Sequence, residues 1–100
     1  MKRVPKKIEV GPGCEYTTIY RWRPLVDGQP VDGAAKLGDK QIILDRALKT
    51  ERRQVYLHEV FHAVLWEAGI SRSFNKKQHD TEELIVDCLS RWVDNVLLKK

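Results

Sequence analysis

The chain is poor in the residues that build the simplest alternatives to a globular domain. Two cysteines in 100 residues are too few for a disulfide framework. Cys14 and Cys88 are expected as reduced thiols, Cys14 in or near a turn and Cys88 packed in a helix. Four prolines, six glycines and no repeated segment exclude collagenous and low-complexity classes. No apolar run approaches the roughly 18–20 residues of a membrane span. No charged segment leads into an apolar one at the N-terminus, so a soluble, cytoplasmic protein is expected.

Charge of one sign is also scarcer than the net +4 implies. Lys2, Arg3, Lys6 and Lys7 crowd the N-terminus and Lys99 and Lys100 end the chain. Between them, twelve basic residues face fourteen acidic ones. The body of the chain is not basic, which argues against nucleic acid as the main partner and leaves only the N-terminal arm for such contact. One hundred residues make one small domain with a single core, at a size where a bound metal adds useful stability.

What is there falls into two halves. "KKIEV" alternates like a strand, "GPG" breaks it, and "EYTTIYRWRP" is a second run of β-branched and aromatic residues that Pro24 closes. "DGQPVDG" reads as loop. "AAKLGDKQIILD" reads as a hairpin with a turn at Gly38-Asp39 and its stronger strand at Gln41 to Asp45. A short helix is expected around Asp45 to Lys49. Thr50 is placed to cap a helix from Glu51 that Gly69 ends in the left-handed conformation. After the polar "ISRSFNKKQHD", Asp80 or Thr81 is placed to cap a second helix with an apolar stripe through Leu84, Ile85, Cys88, Leu89, Trp92, Val93, Val96 and Leu97. The expected fold is α+β, a small twisted antiparallel sheet on two main helices.

The first of these helices holds "VYLHEVFHAVLW", residues 55 to 66. It is apolar on every side, so it is expected to be buried, and burying a carboxylate and two imidazoles requires compensation. His58 and His62 are four apart and therefore neighbours on one face, close enough for both rings to reach one zinc ion. Glu59 lies about 100° round the axis from His58, beside such an ion and able to act as a general base. This is the HExxH pattern. A pair of core histidines bonded to backbone or to Glu59 is the bland alternative.

A catalytic zinc site needs a third protein ligand. Leu65 and Ala68 occupy the places where one class of HExxH proteins carries a glycine and a third histidine, so a glutamate of the following helix is left. Periodicity favours Glu82, nearer the centre of the stripe. The i, i+4 spacing of Glu83 and Asp87 favours Glu83, since Asp87 can then support a ligand histidine.

HExxH followed about twenty residues later by ExxxD resembles the gluzincin pattern of thermolysin-type peptidases. More closely, "RRQVYLHEVFHAVLWEAGI" with "EELIVDCLSRWVDNVLL" resembles the small phage and prophage members of the ImmA/IrrE-like metallopeptidases, or minimal zincins. The likeness covers roughly residues 34–98, and residues 1–33 add nothing to it. It departs in carrying Asp87 where the family's helix has Asn. The resemblance implies one Zn²⁺ per chain held by His58, His62 and Glu83, with Asp87 behind a histidine, Glu59 as catalytic base, and residues 1–100 as a single zincin-like metallopeptidase domain. It implies hydrolysis of a protein or peptide substrate in the cytoplasm, the host's if the chain is phage-encoded. It also makes Gln41 to Asp45 the candidate edge strand for substrate. Tyr56, His79 and Arg91 are candidates to stabilise an oxyanion, while Trp22, Trp66 and Trp92 are expected mainly as packing. The competing class is a zinc-stabilised regulatory or inhibitory module that binds a protein partner and cleaves nothing.

Overall fold

In the computed structural model, which describes residues 4–71 and 75–97, the first half of the chain is β and the second helical. β1 (Lys7–Gly11) and β2 (Cys14–Arg21) form an antiparallel hairpin around the Pro12-Gly13 turn. Gly13 takes φ +72°, a conformation that L side chains resist. β3 (Leu25–Val26) and β4 (Gln29–Pro30) make a minute hairpin inside the segment expected as loop. Its two turn residues, Asp27 and Gly28, both have positive φ, as a two-residue hairpin requires. β5 (Gly33–Lys36) and β6 (Gln41–Asp45) are the two arms expected around Gly38-Asp39.

The four long strands lie in the order β1-β2-β6-β5. The β2 to β6 pairing is parallel, so the sheet is mixed rather than antiparallel throughout. A parallel neighbour demands a long return, and the β3–β4 hairpin with β5 supplies it. β6 is therefore a central strand, which explains its unbroken apolar Ile42, Ile43 and Leu44, all buried. The edge on that side is β5 instead, a correction to the expectation that Gln41 to Asp45 would be open to substrate.

α1 (Arg52–Glu67) lies across the sheet. Tyr56, Leu57, Val60 and Ala63 pack on Tyr16 of β2 and on Ile42 and Leu44 of β6. Only that side of α1 is fully buried. The remaining apolar residues from Val55 to Trp66 are half-buried, so the helix is less enclosed than its composition suggests. Its far end is tied to the sheet through Glu67, which accepts hydrogen bonds from Tyr16 (2.6 Å) and Lys40 (3.1 Å) and faces the Cys14 thiol at 3.5 Å. The Tyr16 hydroxyl, then Lys40, hold the Glu67 carboxyl below its ordinary pKa.

Three local expectations are corrected. Thr50 does not cap α1, because its hydroxyl donates to Glu51 Oε2 at 2.8 Å and the N-cap residue is Glu51. Asp45 to Lys49 is a turn in which Asp45 Oδ1 accepts from the Ala47 amide at 2.9 Å. α2 (Lys76–Trp92) begins before Asp80 and Thr81, at a capping box in which Asn75 accepts from the Gln78 amide and Gln78 from the Asn75 amide. Glu82 and Glu83 thus lie in its second turn, where helical geometry is firm. A π-helical turn, Val93–Leu97, follows; it brings Val93 against the core and Asp94 to Arg53. Gly69 ends α1 at φ +81°, as expected. Residues 72–74 of the polar link lie outside the described residues, as do Lys2, Arg3, Lys99 and Lys100 of the basic ends. Among the described residues no helix is long and apolar enough to cross a membrane.

Because Asn75 and not Thr50 carries a side-chain cap, Asn75→Ala should cost about 0.5–2 kcal/mol of stability. Thr50→Ala should stay within about 0.5 kcal/mol of the parent. Urea unfolding of the two variants checks the ranking.

Candidate metal centre

α1 packs on β5 and side by side with α2, and the facing sides of the two helices carry the ionisable residues. His58 and His62 project from successive turns of α1 with ring centroids 4.9 Å apart. The two Nε2 atoms are 3.2 Å apart. Glu83 Oε1 lies 2.7 Å from Nε2 of His58 and 3.1 Å from Nε2 of His62. Among the described residues these three side chains form a candidate metal-binding group, their donor atoms all within 4.8 Å of one another.

The opposite ring nitrogens fix how the histidines present themselves. Nδ1 of His62 is 2.7 Å from Oε2 of Glu82, a buried carboxylate that also accepts from the Ser71 hydroxyl. Nδ1 of His58 is 3.8 Å from Oδ1 of Asp87, whose other oxygen meets Arg91 at 3.0 Å. A carboxylate can only accept, so Glu82 assigns the His62 proton to Nδ1 and leaves the Nε2 lone pair facing inward. Nε2 of both rings and a carboxylate oxygen converge on one point, an arrangement that requires a cation or shared protons between them.

The donor set fits a divalent transition metal. Ligands about 2.0–2.1 Å from a tetrahedral ion stand about 3.3 Å from one another; the separations of 3.2 and 3.1 Å approach that edge, and the 2.7 Å contact between His58 and Glu83 would lengthen on binding. Two imidazoles with one carboxylate suit zinc, copper, iron or nickel better than magnesium or calcium.

The electrostatics carry the same imprint. Burial pulls His62 down, but its bonds to Glu82 and Glu83 outweigh that and raise its pKa overall. Burial raises Glu83, and the two histidines reverse the effect and lower it. Glu59 goes the other way: desolvation dominates and raises its pKa against the pull of both histidines.

Glu59 stands beside the three donors without belonging to them. The backbone of Ala35 on β5 acts on it too, as the weakest of the influences on its pKa. The close approach of strand and helix rests on Gly33. A β-carbon there would lie 2.6 Å from Val55 Cγ1, 3.1 Å from the Ile43 carbonyl oxygen and 3.4 Å from Glu59 Cγ. Gly33 and Glu59 separate two hollows of the cleft. One, of about 450 Å³, has an apolar wall of Val26, Val31, Leu37 and Trp66 and reaches His79. The other, of about 330 Å³, is polar and includes Asp32, Gln54, Asp87 and Arg91.

The remaining candidates separate clearly. His79 and Arg91 line the cleft on opposite sides of the donors. Tyr56 does not reach it: the ring is fully buried in the core and burial pushes its hydroxyl up to about 12. Trp66 lines the cleft, whereas Trp22 and Trp92 are exposed rather than packed. Both cysteines are free; Cys88 is exposed, contrary to expectation, and Cys14 sits at the turn as expected, bonded to Glu67. Glu82 is the residue whose place sequence reasoning missed, since it supports a histidine and is neither ligand nor bystander.

Comparison with protein-family models, curated proteins and solved structures finds no match. What the fold and site define is an α+β domain with a candidate metal-binding cluster at the junction of two helices and a sheet edge.

The geometry ranks the two adjacent glutamates. Glu83→Ala, removing a donor, should weaken binding of a divalent metal more than Glu82→Ala, which should cost about 10–100-fold by releasing the His62 ring. A competitive chelator titration on both variants measures this, and an unchanged affinity in Glu82→Ala would contradict the role given to Nδ1.

Proposed function

We propose that the chain is a zinc-dependent peptidase of the minimal gluzincin type, a single domain acting on protein or peptide substrates in the cytoplasm. The observation that carries the reading is the position of Glu59. It lines the cleft beside His58, His62 and Glu83 without being one of the three clustered donors. A purely structural zinc site has no use for a half-buried carboxylate kept beside the ligands.

In this reading His58, His62 and Glu83 hold the ion, and Glu82 and Asp87 orient the two rings. Zinc at this point supplies Lewis acidity toward a scissile carbonyl and acidifies water. An extended peptide pairs with the outward backbone groups of β5, whose strand neighbour β6 lies on its other side. This assigns to Gly33–Lys36 the substrate-pairing role that resemblance suggests for the following strand. Glu59 accepts the proton of the attacking water and returns it to the leaving amine. His79 and Arg91, on either side of the donors, are the available groups for the developing oxyanion.

Glu59→Gln tests the reading. It should keep the fold and the metal, and lower peptide hydrolysis by about 10²–10⁴-fold, because an amide cannot take the proton. Cleavage by the parent chain is sought with a proteome-derived peptide library. Retention of full activity in Glu59→Gln removes the peptidase assignment and leaves a metal-stabilised interaction module.

A further inference from the structure

The two hollows of the cleft are laid out along the edge strand and meet at Gly33. The larger, about 450 Å³, follows β5 past Ala35 to Leu37 and is lined by His62 and Glu83. The smaller, about 330 Å³, begins at Asp32, ahead of the strand, and is lined by His58. The three clustered donors therefore stand between them. Both volumes fall in the roughly 300–1,000 Å³ range of ligand pockets.

Their chemistry differs. The larger hollow is walled by Val26, Val31, Leu37 and Trp66. Apart from Glu59, which both hollows share, its carboxylates are already engaged: Glu82 with His62 and the Ser71 hydroxyl, and Glu83 with both histidines. What remains there suits an apolar group. In the smaller hollow Arg91 answers Asp87 at 3.0 Å. Asp32 has no such answer, being exposed and forming no ion pair among the described residues. The hollow on its other side adds one cation, Arg23, and one carboxylate, Asp45, so the balance is unchanged. An uncompensated carboxylate at this end favours a cationic group.

The strand itself spaces the two preferences. A peptide added to an edge strand sends alternate side chains to one face of the sheet, about 6.8 Å apart. On the helix side of β5 the matching positions are Gly33, beside Val55 and Glu59, and Ala35, packed against the core. Both are too small to screen a neighbouring strand's side chains from the cleft. We infer that the cleft selects peptides carrying a large apolar side chain and, two residues away, a lysine or arginine, the first held against Leu37 and Trp66 and the second at Asp32. In the peptidase reading, on which this rests, the bond cleaved lies between the two.

The probes are capped octapeptides with Leu, Phe, Ser, Lys or Glu at two positions separated by a single residue, in a frame of Ala and Ser. Cleavage by the zinc-loaded parent chain is followed by mass spectrometry. Binding to zinc-loaded Glu59→Gln is followed by calorimetry, which needs no turnover. Peptides with one apolar and one basic side chain should be preferred at least about tenfold over those with Ser for the first or Glu for the second. Asp32→Lys, at an exposed position outside the catalytic group, should turn the charge preference from Lys to Glu and keep the apolar one. Val26→Asp, at a side chain 43 % exposed, should weaken the apolar preference alone. Cleavage without these preferences, or a basic preference that Asp32→Lys does not move, overturns the inference and leaves the peptidase reading standing. Selective binding with no cleavage by the parent upholds the inference and removes the peptidase reading. A chain that neither binds nor cleaves overturns both.

Discussion

The structure turns on a repulsion. Nε2 of His58, Nε2 of His62 and Oε1 of Glu83 meet within 3.2 Å of one another, and Glu82 behind a neutral His62 turns that ring's lone pair into the gap. Neutral imidazoles and a carboxylate do not gather in this way without a cation or shared protons. Everything around them acts to hold the three donors in place. The i, i+4 spacing on α1 aligns the rings, Glu82 fixes one and Asp87 stands behind the other, and the firm second turn of α2 presents Glu83.

The sheet supplies the other half of the arrangement. The parallel β2 to β6 pairing buries the most apolar strand in the centre and leaves the small-residue strand β5 at the edge, against the functional face of α1. Gly33 lets the strand approach Val55 and Glu59 at a distance no side chain permits. Glu59 lines the cleft beside that strand, outside the group of three donors. In a chain of this size an ion joining α1 to α2 would also be a structural tie between the two helices.

How much of this was legible in the sequence depended on how local each feature is. His58, Glu59 and His62 lie on one helix, so their spacing alone fixes their relation. The hairpin of β5 and β6 was legible for the same reason. The parallel pairing was not, because it joins segments some twenty residues apart and leaves no periodic signature, and so the wrong strand was taken for the edge. The stripe on α2 misled in a more instructive way. Hydrophobic period identifies an apolar face but not what that face meets; here it points outward, and Glu82, Val86 and Ser90 turn to α1. Glu82 was weighed as a ligand on the assumption that the stripe was the buried side. The start of α2 had its own signal in Asn75 and Gln78, three residues apart, which the later capping candidates Asp80 and Thr81 obscured.

The central claim is that His58, His62 and Glu83 bind one metal ion together. Anomalous diffraction at the zinc absorption edge, from crystals of protein purified without a metal-affinity tag, tests it most directly. The account predicts a single anomalous peak per chain, about 2.0–2.1 Å from Nε2 of both histidines and from a Glu83 oxygen, with Glu59 outside bonding distance. A peak coordinated by Glu59 or Glu82 in place of Glu83, or no peak in zinc-supplemented crystals, would contradict it.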